Sequence, residues 1–166
     1  MNDDYGCLML YINIPNWKDL LRFIDESEII DDGFEDNPHI TILYGIDISN
    51  QTYKHRMKHM LNILSLKKFP INITGISVFE NNDSDVLKFD VESSLCESLN
   101  MLISEIFPNV KLHEKYNSHM TIAYMQPGTG KKYSLKLDSP ITIYPSRFVY
   151  TEGYPSNNGT ISYKLK

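Results

Sequence analysis

Two stretches of this 166-residue chain share one pattern: "PHITILYGI" at 38–46 and "SHMTIAYMQ" at 118–126. Both contain H-x-T-I-x-Y, and the second histidine, His119, stands 80 positions after the first, His39. The apolar, strand-forming composition reads each as a strand. Side chains two apart on a strand project to one face. His39 therefore goes with Thr41, and His119 with Thr121, each pair about 6–7 Å apart along its strand. Ile40, Ile42, Met120 and Ile122 face the opposite way, toward a core. A single H-x-T on a strand commonly marks a hydrogen-bonded structural histidine. Two copies in matched contexts point to a paired site.

The flanking sequence repeats as well. "YGCLMLYINI" (5–14) reads as a strand that stops at Pro15. Asn16 is placed to cap a helix carrying Trp17, Leu20, Leu21 and Ile24, and acidic "DESEIIDDGFEDN" (25–37) reads as a surface loop. After the first histidine strand, Met57, Met60, Leu61 and Leu64 repeat at helical spacing within 51–66. "INITGISVFE" (71–80) reads as a strand with a bulge at Gly75. "VLKFDVE" (86–92) alternates Leu87, Phe89 and Val91 against Lys88, Asp90 and Glu92. Ser94 and Glu97 form a capping box for a helix that ends at Pro108, and the tail offers strands within 141–165. Strand, helix, polar loop and H-x-T strand thus recur in one order. The expected fold is α+β, a single domain over 1–166 with two pseudo-symmetric lobes, approximately 1–70 and 71–166. Each lobe is expected to be a mostly antiparallel sheet with helices on its outer face, and an active-site groove lies between them.

A groove with one imidazole from each side suits displacement at phosphorus, where attacking and leaving oxygens lie roughly in line on opposite sides. One histidine takes a proton from the nucleophile while the other protonates the leaving group. An unperturbed imidazole pKa of ~6.5 suits both tasks. The threonine hydroxyls can donate to the non-bridging oxygens, where charge develops. The scheme calls for no metal and no cofactor, and the sequence offers no carboxylate cluster for two-metal chemistry.

At these residues the chain resembles the 2H phosphoesterase superfamily, whose members carry two H-x-[ST] motifs in a bilobal fold. His39, Thr41, His119 and Thr121 match the motif positions, and the resemblance spans nearly the whole chain. It implies metal-independent cleavage of nucleotide phosphodiesters, including 2′,5′ linkages, 2′,3′-cyclic phosphates and RNA ends. RNA-ligase-like members often carry an arginine shortly after the second motif, whereas Tyr124 and Met125 occupy that region here. "EDNPHITILYG" (35–45) and "YGCLMLYINIPNW" (5–17) are more similar to the phage nucleases that destroy cyclic-oligonucleotide alarm signals of bacterial defence, the anti-CBASS enzymes. The expected function is degradation of cyclic di- or trinucleotides with 3′,5′ linkages. An RNA-end 2′,3′-cyclic or 2′,5′-phosphodiesterase is the alternative enzyme. A nucleotide-binding sponge without turnover is the alternative of another class.

Charge agrees with a small ligand. With 21 acidic and 16 basic residues the net charge is −5, which supplies no basic face for a long nucleic acid. A cyclic oligonucleotide needs only a few local contacts. No apolar run reaches the length of a membrane span and the acidic start is no secretion signal, so a cytoplasmic protein without a membrane partner is expected. It would act in the host cytoplasm if phage-encoded. Cys7 and Cys96 read as buried thiols.

The substrate-binding candidates are Tyr5, Tyr44, Tyr124 and Glu152. Tyr5, at a strand start, can stack a base, as can Tyr11 or Trp17. Tyr44 and Tyr124 have the parity of the core-facing residues and line the groove only if their strands end before them. Glu152 either accepts from a base's exocyclic amine or is a solvated turn residue. Lys131, Lys132 and Arg147 are candidates for substrate phosphates. "QPGTGKK" (126–132) lacks the first glycine of a phosphate loop and has Lys132 in place of the hydroxyl. His55 and His59 have metal-ligand spacing, but the cations around them read as a solvated helix face. Nothing in the sequence sets the oligomeric state.

Overall fold

In chain order the strands are β1 (Tyr5–Ile12), β2 (Ile29–Phe34), β3 (His39–Asp47), β4 (Ile71–Glu80), β5 (Asp85–Glu92), β6 (His119–Met125), β7 (Leu135–Ile143), β8 (Pro145–Glu152) and β9 (Gly159–Lys164). The helices are α1 (Trp17–Leu20), α2 (Gln51–Leu64) and α3 (Ser94–Ile106). This computed structural model describes residues 5–47, 51–64, 67–110, 115–153 and 159–166.

The nine strands form one sheet in the order β7-β4-β5-β6-β3-β1-β8-β9, with β2 also paired to β6. All the strand pairings are antiparallel. The fold is the α+β, antiparallel architecture expected. Its two halves, β7-β4-β5-β6 and β3-β1-β8-β9, meet where Ile40 pairs with Met120. The strands do not divide at residue 70. β8 and β9 return to the side of β1, while β2 crosses to β6.

Ile40, Ile42, Met120 and Ile122 are fully buried, in one apolar cluster with Met57 and Leu61 of α2 and Leu99 and Ile103 of α3. Each such side chain contributes roughly 1.5–3 kcal/mol on burial. This layer covers one face of the sheet and leaves the histidines on the other. α3 is capped by Ser93, whose side chain accepts from the Cys96 amide, so the cap lies one residue before the expected Ser94.

Both histidine strands are bulged at the same place. On β3, Thr41 pairs with Met9 and Leu43 with Leu8, so Ile42 has no partner of its own. On β6, Thr121 pairs with Lys88 and Ala123 with Leu87, so Ile122 is skipped in the same way. Each extra residue reverses the alternation beyond it. The freed carbonyls are satisfied: Asn100 Nδ2 of α3 donates to Ile42 O at 2.7 Å, and the Glu35 amide donates to Ile122 O at 2.9 Å.

Two expectations fail locally. The first helix covers only four residues, because Asn16 adopts a left-handed φ of 55° and makes no side-chain cap. The following amides of Leu21 and Ile24 bond three residues back, to Lys18 and Leu21, in tight turns. Trp17, Leu21 and Ile24 are buried while Leu20 and Phe23 stay exposed. The acidic segment expected to be a loop contains β2, which pairs with β6 at Ile29–Met125 and Phe34–Ala123. Its pairing partner lies about 90 residues away in sequence, and its own irregular pattern shows no strand period.

The Asn100 bond yields a stability test. Asn100→Ala leaves the Ile42 carbonyl unpaired in a half-buried setting and should cost about 1–3 kcal/mol. Urea denaturation should show a lower midpoint at an unchanged slope.

Candidate active site

The two histidines are held identically. His39 Nδ1 lies 2.8 Å from the carbonyl of Asn37, and His119 Nδ1 lies 2.8 Å from the carbonyl of Asn117. A carbonyl can only accept, so Nδ1 carries the proton in both rings. In a neutral ring Nε2 is then the nitrogen that bears the lone pair. Both rings are half-buried, the His39 side chain 11% exposed.

The register sets their relation. With Ile40 opposite Met120 in an antiparallel pair, His39 lies across from Thr121 and Thr41 across from His119. The two histidines are diagonal neighbours on one face, about 7–8 Å apart by ladder geometry. Each imidazole thus has the threonine of the other motif beside it. The structure brings His39, Thr41, His119 and Thr121 together around a local twofold axis through the Ile40–Met120 pair.

The surroundings break that symmetry. Tyr11 stacks on His39 with ring centroids 5.6 Å apart, and the Arg147 guanidinium lies 5.0 Å from the centre of the Tyr11 ring. Glu35 Oε1 is 3.9 Å from His39 Nδ1. On the second side Phe79 meets His119 edge-on at 5.0 Å, and Lys88 Nζ lies 4.4 Å over Phe79. In the ladders Lys88 faces Thr121 where Met9 faces Thr41, and Asp90 faces His119 where Tyr11 faces His39.

Lys88 is 3% exposed, and a buried ammonium is costly unless it is paired and hydrogen-bonded. Its Nζ donates to Ser77 Oγ at 2.7 Å and to Asp90 Oδ1 at 2.6 Å, and Ser77 Oγ also donates to Oδ1 at 2.6 Å. Burial pushes the Asp90 carboxyl up, but the hydrogen bonds from Lys88 and Ser77 and the charges of Lys88 and His119 outweigh it and hold the acid below its usual range. The carboxylate therefore stays charged beside His119. At Cys7, burial raises the thiol to about 12 against a hydrogen bond with Thr41, so it is a neutral neighbour and no nucleophile.

The bulges overturn the core-facing parity of the two tyrosines. Tyr44 pairs with Cys7 and packs with Met9 and Val149, and Tyr124 pairs with Val86, so both share the histidine face and are half-buried there. H, T and Y of H-x-T-I-x-Y are on one side because the isoleucine is the extra residue. Tyr5 has the same parity but lies six residues along β1 from Tyr11, about 20 Å from the His39 row. Glu152 pairs with Gly6, whose parity is that of Leu8 and Leu10, and Tyr150 on that same face is pushed up by burial and, secondarily, by the Glu152 charge. It stands on the opposite face, away from the histidines.

Of the three candidate cations, Arg147 lies on the histidine face, whereas Lys131 pairs with Glu80 and Lys132 with Glu28. His55 and His59 are exposed on α2, as their charged neighbours imply. His113 lies outside the described residues. Among the described residues no three of His, Cys, Asp and Glu gather as metal ligands, and no helix is long and apolar enough to cross a membrane. Sequence reading missed Lys88, Asp90, Ser77 and Phe79 at the site. The signal was the polar face of "VLKFDVE", which joins the site only once β5 is known to pair with β6.

Residues 22–136 match the model of the family described as the 2′-5′ RNA ligase superfamily. No curated protein matches the chain. Among solved structures, Usb1 of Kluyveromyces marxianus with uridine monophosphate is similar at a TM-score of 0.67, with 12% identity over 98% of this chain and 99% of Usb1. TT0787 of Thermus thermophilus is similar at 0.60, with 12% identity over 96% and 95% of the two chains. Escherichia coli LigT complexed with 3′-AMP is similar at 0.56, with 12% identity over 98% and 96%. These likenesses establish the fold.

The buried ion pair makes an ordered prediction. Asp90→Asn strands a buried ammonium, whereas Lys88→Met leaves a carboxylate whose side chain is 38% exposed and open to water. Asp90→Asn should cost about 2–4 kcal/mol and Lys88→Met less. Because the folded Asp90 acid is depressed, its contribution is present above pH 3.8 and is lost as pH falls through the folded value. Denaturation of the two variants at pH 7, and of wild type and Asp90→Asn down to pH 3, checks both statements.

Proposed function

The chain belongs to the 2′-5′ RNA ligase superfamily, and we propose that it is a paired-histidine phosphodiesterase acting on cyclic di- or trinucleotides with 3′,5′ linkages. The observation that carries this reading is the matched pair of Nδ1–carbonyl bonds, 2.8 Å at both histidines, which aims both Nε2 atoms at one face. A phosphodiester lying across Ile40 and Met120 meets an imidazole at each end and a threonine hydroxyl on each flank.

In the forward step one Nε2 accepts the proton of a ribose 2′-hydroxyl as its oxygen attacks phosphorus. The other imidazole, protonated, gives its proton to the departing 5′-oxygen. The product is a 2′,3′-cyclic phosphate and a free 5′-hydroxyl. Water then opens the cyclic phosphate with the two roles exchanged. Thr41 and Thr121 donate to the non-bridging oxygens, which gain charge in the transition state. This scheme uses side chains alone as acid and base.

The acidic net charge of −5 favours a small ligand over a long polyanion. The likeness of the opening strand and first motif to anti-CBASS nucleases supports a phage counter-defence role. A second reading, an RNA-end or 2′,5′-phosphodiesterase, is favoured by the nucleotides named with the structural neighbours, uridine monophosphate for Usb1 and 3′-AMP for LigT.

Incubation in excess EDTA with cyclic and linear oligonucleotides, read by mass spectrometry, separates the readings. Cleavage of a cyclic ribodinucleotide through a transient 2′,3′-cyclic phosphate is expected, and recovery of intact nucleotide would make the protein a sponge. Loss of activity on chelation, restored by Mg²⁺ or Mn²⁺, would sink the two-histidine mechanism. A doubly 2′-deoxy cyclic dinucleotide should bind and resist cleavage.

His39→Ala and His119→Ala should each lose on the order of 10²–10⁴-fold in turnover, and the double variant should lose little more. His55→Ala should be silent. Wild-type turnover in His119→Ala would refute the pairing.

A further inference from the structure

Beyond His119 the histidine face continues across β5 and β4 to the sheet edge, along the row His119, Asp90, Gly75, Lys136. There the surface sinks into a depression of about 400 Å³ whose lining includes Thr74, Gly75, Asp90, Glu92 and Lys136. Two features of the backbone make it. The register between β4 and β7 passes from Ile73–Ile141 to Gly75–Lys136, so residues 137–140 have no partners on β4. Gly75 lets the edge strand come close at the floor: a Cβ there would lie 2.5 Å from the Leu135 carbonyl oxygen and 3.5 Å from Asp90 Oδ2.

The chemistry of the walls is specific. Asp90 Oδ1 is held by Lys88 and Ser77, which fixes the carboxylate and leaves Oδ2 turned toward the floor. Glu92, two residues along β5 on the same face, adds a second carboxylate. Two carboxylates on one wall repel a phosphate, so the depression does not continue the phosphate site. It offers one fixed acceptor, Asp90, and an exposed one, Glu92, with the Lys136 ammonium as a donor at the rim. Among nucleobases only guanine presents two adjacent N–H donors, N1–H and the N2 amine, next to a carbonyl acceptor, O6. Adenine and cytosine set a ring-nitrogen lone pair beside their amine, and uracil has one N–H between two carbonyls. The depression begins one strand from His119, about 5 Å, within reach of the base of a nucleotide whose phosphate lies between the histidines.

We propose that this depression is a guanine subsite, with Asp90 and Glu92 accepting from N1–H and the N2 amine and Lys136 donating to O6. The proposal rests on the reading of the histidine face as a nucleotide site and adds to it a base and a side. Adenine turns the lone pair of its N1 toward a carboxylate where guanine presents N1–H, so a contact that attracts one base repels the other. Discrimination against adenine is therefore expected at about tenfold or more.

Two measurements test it with the intact protein. Binding of guanosine, inosine and adenosine 3′-monophosphates, followed by amide chemical shifts, should rank guanosine above inosine above adenosine, because inosine keeps N1–H and lacks the amine. Turnover of cyclic diguanylate against cyclic diadenylate should favour guanine, and Glu92→Gln, which replaces an acceptor oxygen by a donor, should shrink that ratio by about tenfold. Equal binding of guanosine and adenosine nucleotides would overturn the subsite, as would a Glu92→Gln variant that slows both substrates alike. If no phosphodiester is cleaved and guanosine still binds best, the catalytic reading falls and the subsite stands. If both cyclic dinucleotides are cleaved equally, the catalytic reading stands and the subsite falls.

Discussion

The two histidine strands touch where Ile40 meets Met120, and the rest of the site follows from that register. A slip of one residue on either strand would send its histidine and threonine to the apolar side. One cross-strand pair is worth roughly 0.2–1 kcal/mol, far too little to hold two sheet halves. What holds it is the layer beneath, where Ile40, Ile42, Met120 and Ile122 pack with α2 and α3 in one cluster. Moving any of these side chains to water would cost several times the energy of the pair itself. The chemical face is thus positioned by the apolar residues that alternate with it. Past the pair, β3 continues beside β1 while β6 takes β2 on its free edge, so the strands part and each motif keeps its own flank.

Symmetry ends at the histidine backbone. Both imidazoles are aimed by a carbonyl two residues back, yet their neighbours differ in charge. His119 faces a carboxylate fixed by a buried lysine, with Phe79 against its edge. His39 stacks with Tyr11, with Glu35 near its Nδ1 and Arg147 against the tyrosine ring. Two imidazoles in such different fields cannot be electrostatically equivalent. That inequivalence suits a reaction in which one begins as base and the other as acid. The Lys88–Asp90–Ser77 network also ties the site to stability, because the ammonium is tolerated only while its partners remain.

The H-x-T pairs, the strands bearing them, α2, α3 and a bulge beside Gly75, at Thr74, were legible from the chain, because each leaves a local trace: a repeated motif, a period of two or of 3.6, a glycine inside a strand. The tyrosines of H-x-T-I-x-Y were not. Ile42 and Ile122 are apolar residues whether they take a pleat or are the extra residue of a bulge, so identity alone does not reveal that the alternation reverses there. Strand β2 was missed for a related reason: its hydrogen bonds go to β6, and its own acidic sequence carries no strand period.

By itself the sequence determined the chemistry: two imidazoles and two hydroxyls, each set on a strand with an apolar reverse. Tertiary structure alone decided their company. Lys88 and Asp90 join His119 only because β5 lies against β6, and Arg147 joins Tyr11 only because β8 returns to β1 instead of staying with the second half. Glu152, drawn toward the site by its place near a strand end, is sent to the other face by its pairing with Gly6. Periodicity is a property of neighbours along the chain, whereas strand partnership is chosen by the burial of faces far apart in sequence.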